Sequence, residues 1–145
     1  MSDVAISMKS IASSAAMVAL RSVVKKAEDL DIAVSVAILD RFGHAVATVH
    51  MDGAFLPSRG IARDKAYTAV GFRLPSARWE DLLPKGSSIR ESIMHQPGMA
   101  FFGGGLPIEI GGEVIGSIGV SGGSESQDES CAKAGIDAIS NAVGA

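Results

Sequence analysis

The stretch LPIEIGGEVIGSIGVS, residues 106–121, decides the fold. Residues 106–110 alternate side chains with period two, the pattern of a half-buried strand, and residues 113–121 resume as a second, branched and glycine-rich strand. Between them Gly111-Gly112 supplies two residues that tolerate positive φ, which a two-residue hairpin turn requires. This stretch therefore predicts an antiparallel hairpin.

Working outward, the same grammar recurs upstream. Residues 32–39 are nearly continuous and β-branched, Asp40-Arg41-Phe42-Gly43 reads as a turn, and residues 44–51 alternate again, giving a second hairpin. Residues 99–102 read as a further short strand, followed by the tight Gly103-Gly104-Gly105 loop. Helical periodicity occupies the remainder. Ile11, Ala15, Val18, Ala19, Val23, Ala27 and Leu30 mark a helix over residues 7–31, and Pro57-Ser58 opens another that runs to Phe72. Pro75 and Pro84 bracket a short charged piece around Trp79, and residues 88–95 add a turn or two of helix. Ser126 with Glu129 forms a capping box for a last helix whose apolar stripe is Ala132, Ile136, Ile139 and Val143. Because the strands come in hairpins, the expectation is an α/β (α+β) fold: an antiparallel sheet of about five strands flanked by helices, in one domain over residues 1–145.

Composition narrows the function. Hydrophobic residues make up 47% of the chain but aromatics only 5%, so small and branched aliphatic side chains fill the core. Residues 59–85 carry six basic side chains against three acidic, enough to attract a small anion but without the Lys/Arg density and aromatic interleaving of a nucleic-acid surface. The expected partner is a small, anionic molecule, with no nucleic acid and no membrane. Cys131 is the single cysteine, which excludes an intrachain disulfide and reads as a buried, inert thiol. No basic and apolar leader pattern opens the sequence, so a cytoplasmic location is expected.

Four ordered segments, LDRFGHAVATVHMDGA, IARDKAYTAVGF, FFGGGLPIEIGGEVIGSIGVSGG and SQDESCAKAGIDAI, resemble the signature of the GlcG/HbpS-like (haem-degrading domain) family, from about residue 7 to 143. The resemblance implies a profilin-like sandwich and a homo-oligomer, a tetramer or octamer. It also implies haem binding or degradation, corrinoid-linked or glycolate-utilisation settings, or small-molecule catabolism. Fold is constrained by it far more than reaction.

Lys65 is the most informative single position. Ile61, Lys65, Thr68 and Phe72 fall on one helical stripe, so two polar side chains share a face with two apolar ones. Desolvation lowers an ammonium pKa, which suits a general base, a Schiff-base nucleophile or a carboxylate clamp; a snorkelling lysine is the ordinary alternative. The amides of Gly103, Gly104 and Gly105, beside Leu106, suit an anion, though glycine clusters also serve as plain turns. Arg63, Tyr67 and Arg90 are candidates for a carboxylate or propionate, and Asp52 for the edge of the pocket or a turn.

Histidines supply the haem or metal candidates. His44 and His50 share strand parity but stand about 20 Å apart along an extended strand, too far for one metal. His95, four residues after Glu91, is read as a ligand or general acid/base, against the alternative of an ordinary surface histidine. The sequence shows no zinc cluster and no covalent haem motif, so any haem is noncovalent. Ser121 lies in a G-x-S-x-G context, but no histidine follows residue 95 to complete a triad in the usual order.

Two functions are thus expected to compete. The first is a small-ligand-binding protein for haem or a related tetrapyrrole. The second is a cofactor-independent lyase, isomerase or hydratase acting on a small carboxylate or aromatic catabolite, with Lys65, Thr68 and His95 in catalytic roles. An accessory role, with the region around Trp79 contacting another enzyme, is a third.

Overall fold

The computed structural model describes residues 3–142. Its elements in chain order are α1 (Ser13–Asp29), β1 (Ser35–Asp40), β2 (Ala45–His50) and α2 (Ser58–Phe72). A 3-10 turn (Ser76–Arg78), α3 (Trp79–Leu82), α4 (Ser88–Met94), β3 (Gly105–Ile110), β4 (Glu113–Ser121) and α5 (Glu125–Ala142) follow. The sheet is antiparallel throughout, in the order β2-β1-β4-β3. Helices α1 and α5 pack on one face and α2 on the other. Among the described residues, no helix is long and apolar enough to cross a membrane.

The two faces are built from different residues. Toward α1 and α5, β1 and β4 present Val36, Ile38, Ile118 and Val120, which pack on Ala16, Ala19, Val23, Cys131 and Ala132. Complete burial of such a side chain contributes about 1.5–3 kcal/mol. Toward α2 the strands present Ser35, Ala37, Ser117 and Gly119 instead, and the helix answers with Ala62 and Ala66. The approach is so close that a Cβ on Gly119 would stand 1.9 Å from the Ala62 carbonyl oxygen. Ser117 Oγ donates to the Ala66 carbonyl at 2.6 Å, satisfying the hydroxyl inside this contact.

Both hairpins form as the sequence predicts. Gly111 and Gly112 take φ of +60° and +79°, and Asp40 Oδ1 accepts the amides of Phe42 and His44 in the other turn. Pro57 precedes α2 as expected, and Arg73 ends that helix in a left-handed conformation.

Three expectations are corrected. Among the described residues the sheet has four strands, because residues 99–102 direct their backbone to side chains: Ala100 N donates to Thr68 Oγ1, and the Phe102 carbonyl accepts from Ser76 Oγ. Helix α1 begins at Ser13, since the preceding backbone bonds across to the β3–β4 hairpin, with Ile11 N donating to the Ile115 carbonyl. The reciprocal cap of α5 is Ser124 with Gln127, not Ser126 with Glu129. Ser124 Oγ accepts from Gln127 N, and Gln127 Oε1 accepts from Ser124 N. Val143, assigned to the stripe of that helix, lies outside the described residues.

Candidate functional site

Helix α2 covers β1, β4 and β3 but leaves the edge strand β2 uncovered on the same face. The step between them is a groove of about 340 Å³. Register explains its lining. Ser35 pairs with His50 and Ala37 with Thr48, so these four side chains share the α2-facing side of the sheet. On the opposite wall Arg59 and Arg63, one helical turn apart, border the groove with Gly60 between them. Val36, Ala45 and Val49 complete the lining.

A chain of hydrogen bonds runs behind His50. Its Nδ1 lies 2.5 Å from Ser35 Oγ, which lies 2.9 Å from Ser58 Oγ, and Ser58 Oγ donates to the Phe55 carbonyl at 2.5 Å. Both serines are buried, at 1% and 3% exposure.

Lys65 occupies a separate, closed place. Its side chain is 1% exposed; Nζ donates to the Val120 carbonyl at 2.9 Å and to Asp128 Oδ2 at 3.1 Å, and lies 4.5 Å from the Phe102 ring centroid. Burial lowers the Lys65 pKa, with the Asp128 carboxylate opposing the shift. Gly104, at φ +129°, makes room for it: a Cβ there would meet Lys65 Nζ at 2.8 Å. The neighbouring glycine amides are already used. Gly103 N donates to Glu125 Oε1 at 2.7 Å and Gly105 N to Ser76 Oγ at 2.9 Å. Thr68 Oγ1 sits within donating distance of the Asp64 and Gly98 carbonyls and accepts from Ala100 N, so it ties the segment before the glycines to α2.

A family model described as haem degrading protein HbpS-like matches residues 11–137. The chain belongs to the HbpS-like family. The GlcG/HbpS-like resemblance is thereby borne out, and the similar solved structures carry the same fold. This HbpS-like chain is 35% identical over 121 residues to an uncharacterized 15.0 kDa protein from the dhaT-dhaS intergenic region of Citrobacter freundii, covering 83% of this chain and 85% of that one. It superposes on the Klebsiella pneumoniae protein ORFY with a TM-score of 0.89 at 30% identity, covering 97% of both chains. It superposes on PduOC, solved as a complex with haem, with a TM-score of 0.82 at 32% identity, covering 89% of this chain and 94% of that one.

In this HbpS-like chain the other residues singled out from sequence are dispersed. Arg63 lines the groove. The Tyr67 ring packs instead over Gly43 and Gly98. Arg90 is 6% exposed, with its guanidinium on the Trp79 and Leu83 carbonyls and Glu80 Oε1. Asp52 is exposed in the turn after β2, and Leu106 is half-buried in β3. His95 follows α4 as its C-cap and is exposed, and among the described residues no side-chain hydrogen bond joins it to Lys65 or Thr68. Ser35, Thr48, Ser58 and Arg59 were not assigned to a site by sequence reasoning. Pairing the two predicted strands would have set Ser35 beside His50, but register across that turn depends on an irregularity between Ile38 and Leu39.

Proposed function

We propose that this protein binds haem or a related tetrapyrrole noncovalently, in the groove between β2 and α2. One observation carries the reading: two arginines and a histidine converge there beside the Ala37 and Ala45 side chains, while Val36 and Val49 border the groove from strands whose side chains at those positions pack into the opposite core. That combination answers the two halves of the ligand. Guanidinium forks suit propionate carboxylates, and apolar side chains suit the macrocycle. Bound haem supplies the iron; the chain supplies the cradle. The groove is open along β2, so it accepts the edge of a ligand larger than itself, and the haem complex of PduOC shows that a relative of this fold takes haem.

The enzymatic alternative centred on Lys65 has less support, because the ammonium that must meet the substrate is closed off and already holds Asp128 and the Val120 carbonyl. Self-association belongs to the same binding reading, since Phe55 and Leu56 stand 73% and 79% exposed in the loop that leads from β2 into α2.

The test is a haemin titration followed by absorption. A saturable Soret shift is expected, weakened by about tenfold or more in Arg59→Ala/Arg63→Ala, since a hydrogen bond to a charged group contributes about 1.5–3 kcal/mol. Absence of a saturable shift in the unmodified protein overturns the proposal.

A further inference from the structure

We infer that His50 is the iron ligand of this groove, through Nε2, and that Ser35 and Ser58 are the positioning residues that hold it ready. The inference rests on the tetrapyrrole reading above.

The argument is a count of protons. A carbonyl oxygen only accepts, so the Ser58 hydroxyl, 2.5 Å from the Phe55 carbonyl, gives its single proton there. Ser58 Oγ is left as an acceptor, and the only proton available for its 2.9 Å contact with Ser35 is the Ser35 hydroxyl proton. Ser35 Oγ is then an acceptor as well. Its 2.5 Å contact with His50 Nδ1 needs a proton, which the imidazole must supply. Nδ1 therefore carries the hydrogen, and in the neutral ring Nε2 carries the lone pair. The Phe55 carbonyl also accepts the Ser58 amide at 2.9 Å, but reversing any link leaves two oxygens facing each other with no hydrogen between them, either Ser35 and Ser58 at 2.9 Å or Ser58 and the Phe55 carbonyl at 2.5 Å.

A neutral imidazole with Nδ1–H held by an oxygen and Nε2 free is the arrangement that metal-bound histidines adopt, the outer partner fixing both tautomer and ring orientation. His50 is also the lining residue suited to iron. Arg59 and Arg63 are permanently protonated, the hydroxyl of Thr48 is a weak donor to iron, and the remaining lining side chains are apolar or occupied in the relay. The other described histidines are placed elsewhere: His44 Nδ1 lies 3.4 Å from Asp40 Oδ2 in the β1–β2 turn, and His95 caps α4.

The closing experiment reads both the apo ring and the loaded protein. Long-range proton–nitrogen correlations of the apo protein are expected to show His50 with hydrogen on Nδ1, a preference lost in Ser35→Ala. In haemin titrations His50→Ala is expected to lose the imidazole-ligated spectrum and regain it with added imidazole, while Ser35→Ala weakens binding by about tenfold, as removal of an outer-shell partner does. A wild-type Soret shift unchanged by His50→Ala overturns the ligand assignment and leaves the groove reading standing. Hydrogen found on Nε2 overturns the relay. No haemin binding by the unmodified protein overturns the groove reading, and the ligand assignment with it.

Discussion

Lys65 of α2 and Asp128 of α5 lie 3.1 Å apart, Nζ to Oδ2, with side chains only 1% and 3% exposed. Asp128 Oδ1 accepts the Gly123 amide at 2.8 Å, so one carboxylate joins the end of β4, the start of α5 and the middle of α2. Breaking a buried pair from one side leaves an uncompensated charge. Lys65→Met should therefore cost about 3–5 kcal/mol in urea denaturation, while Lys65→Met/Asp128→Leu should recover much of that loss. A double-variant loss equal to the sum of the Lys65→Met and Asp128→Leu losses would show that the pair is not coupled.

The same burial has a consequence for alkaline pH. It holds the folded Lys65 pKa below the ordinary 10.5, so between the folded value and 10.5 the unfolded chain binds the extra proton and the Lys65 contribution makes stability rise with pH. Cys131 acts with the opposite sign. Burial pushes its thiol from 9.0 up to about 11, so between those values the folded chain holds a proton that the unfolded chain has lost, and stability falls as pH rises. Cys131→Ala should flatten the decline in this window, measured as denaturation midpoint against pH. At pH 8 the native thiol should resist alkylation, with modification appearing only as the chain unfolds; rapid modification of folded protein would contradict its burial.

Two glycine replacements separate packing from propensity. At Gly119 a methyl group would meet the Ala62 carbonyl oxygen at 1.9 Å and Ala66 N at 2.6 Å, so Gly119→Ala must lift α2 from the sheet, at a cost of about 3 kcal/mol or more. Within α2 a Cβ at Gly71 meets nothing within 4 Å, so Gly71→Ala should stabilise the protein by about 0.5–1 kcal/mol. Thermal denaturation of both variants checks the pair, and a neutral Gly119→Ala would refute the close approach.

The fold was legible where the signal was local. Alternation on either side of Gly111-Gly112 and around Asp40–Gly43 defined both hairpins, and Pro57 defined the start of α2. Residues 99–102 deceived because their apolar character is that of buried segments generally; Ala100 and Phe101 are buried without strand partners, held by Thr68 and Ser76. Lys65 was legible as a lysine on a mixed stripe. Its full enclosure depends on Gly104 and Gly119, distant in sequence, which let the loop and the sheet close around α2. The groove was least legible, for its walls come from residues 35–50 and 59–63, and only tertiary packing shows that α2 stops short of β2.

The location of the ligand is the central claim, and titration of isotopically labelled protein with diamagnetic zinc protoporphyrin tests it most directly. Saturable amide-shift changes concentrated at Ser35, Val49, His50, Gly60 and Arg63 are the predicted result. Changes concentrated instead on α4 around His95, or on the Gly103–Gly105 loop over Lys65, would contradict the account.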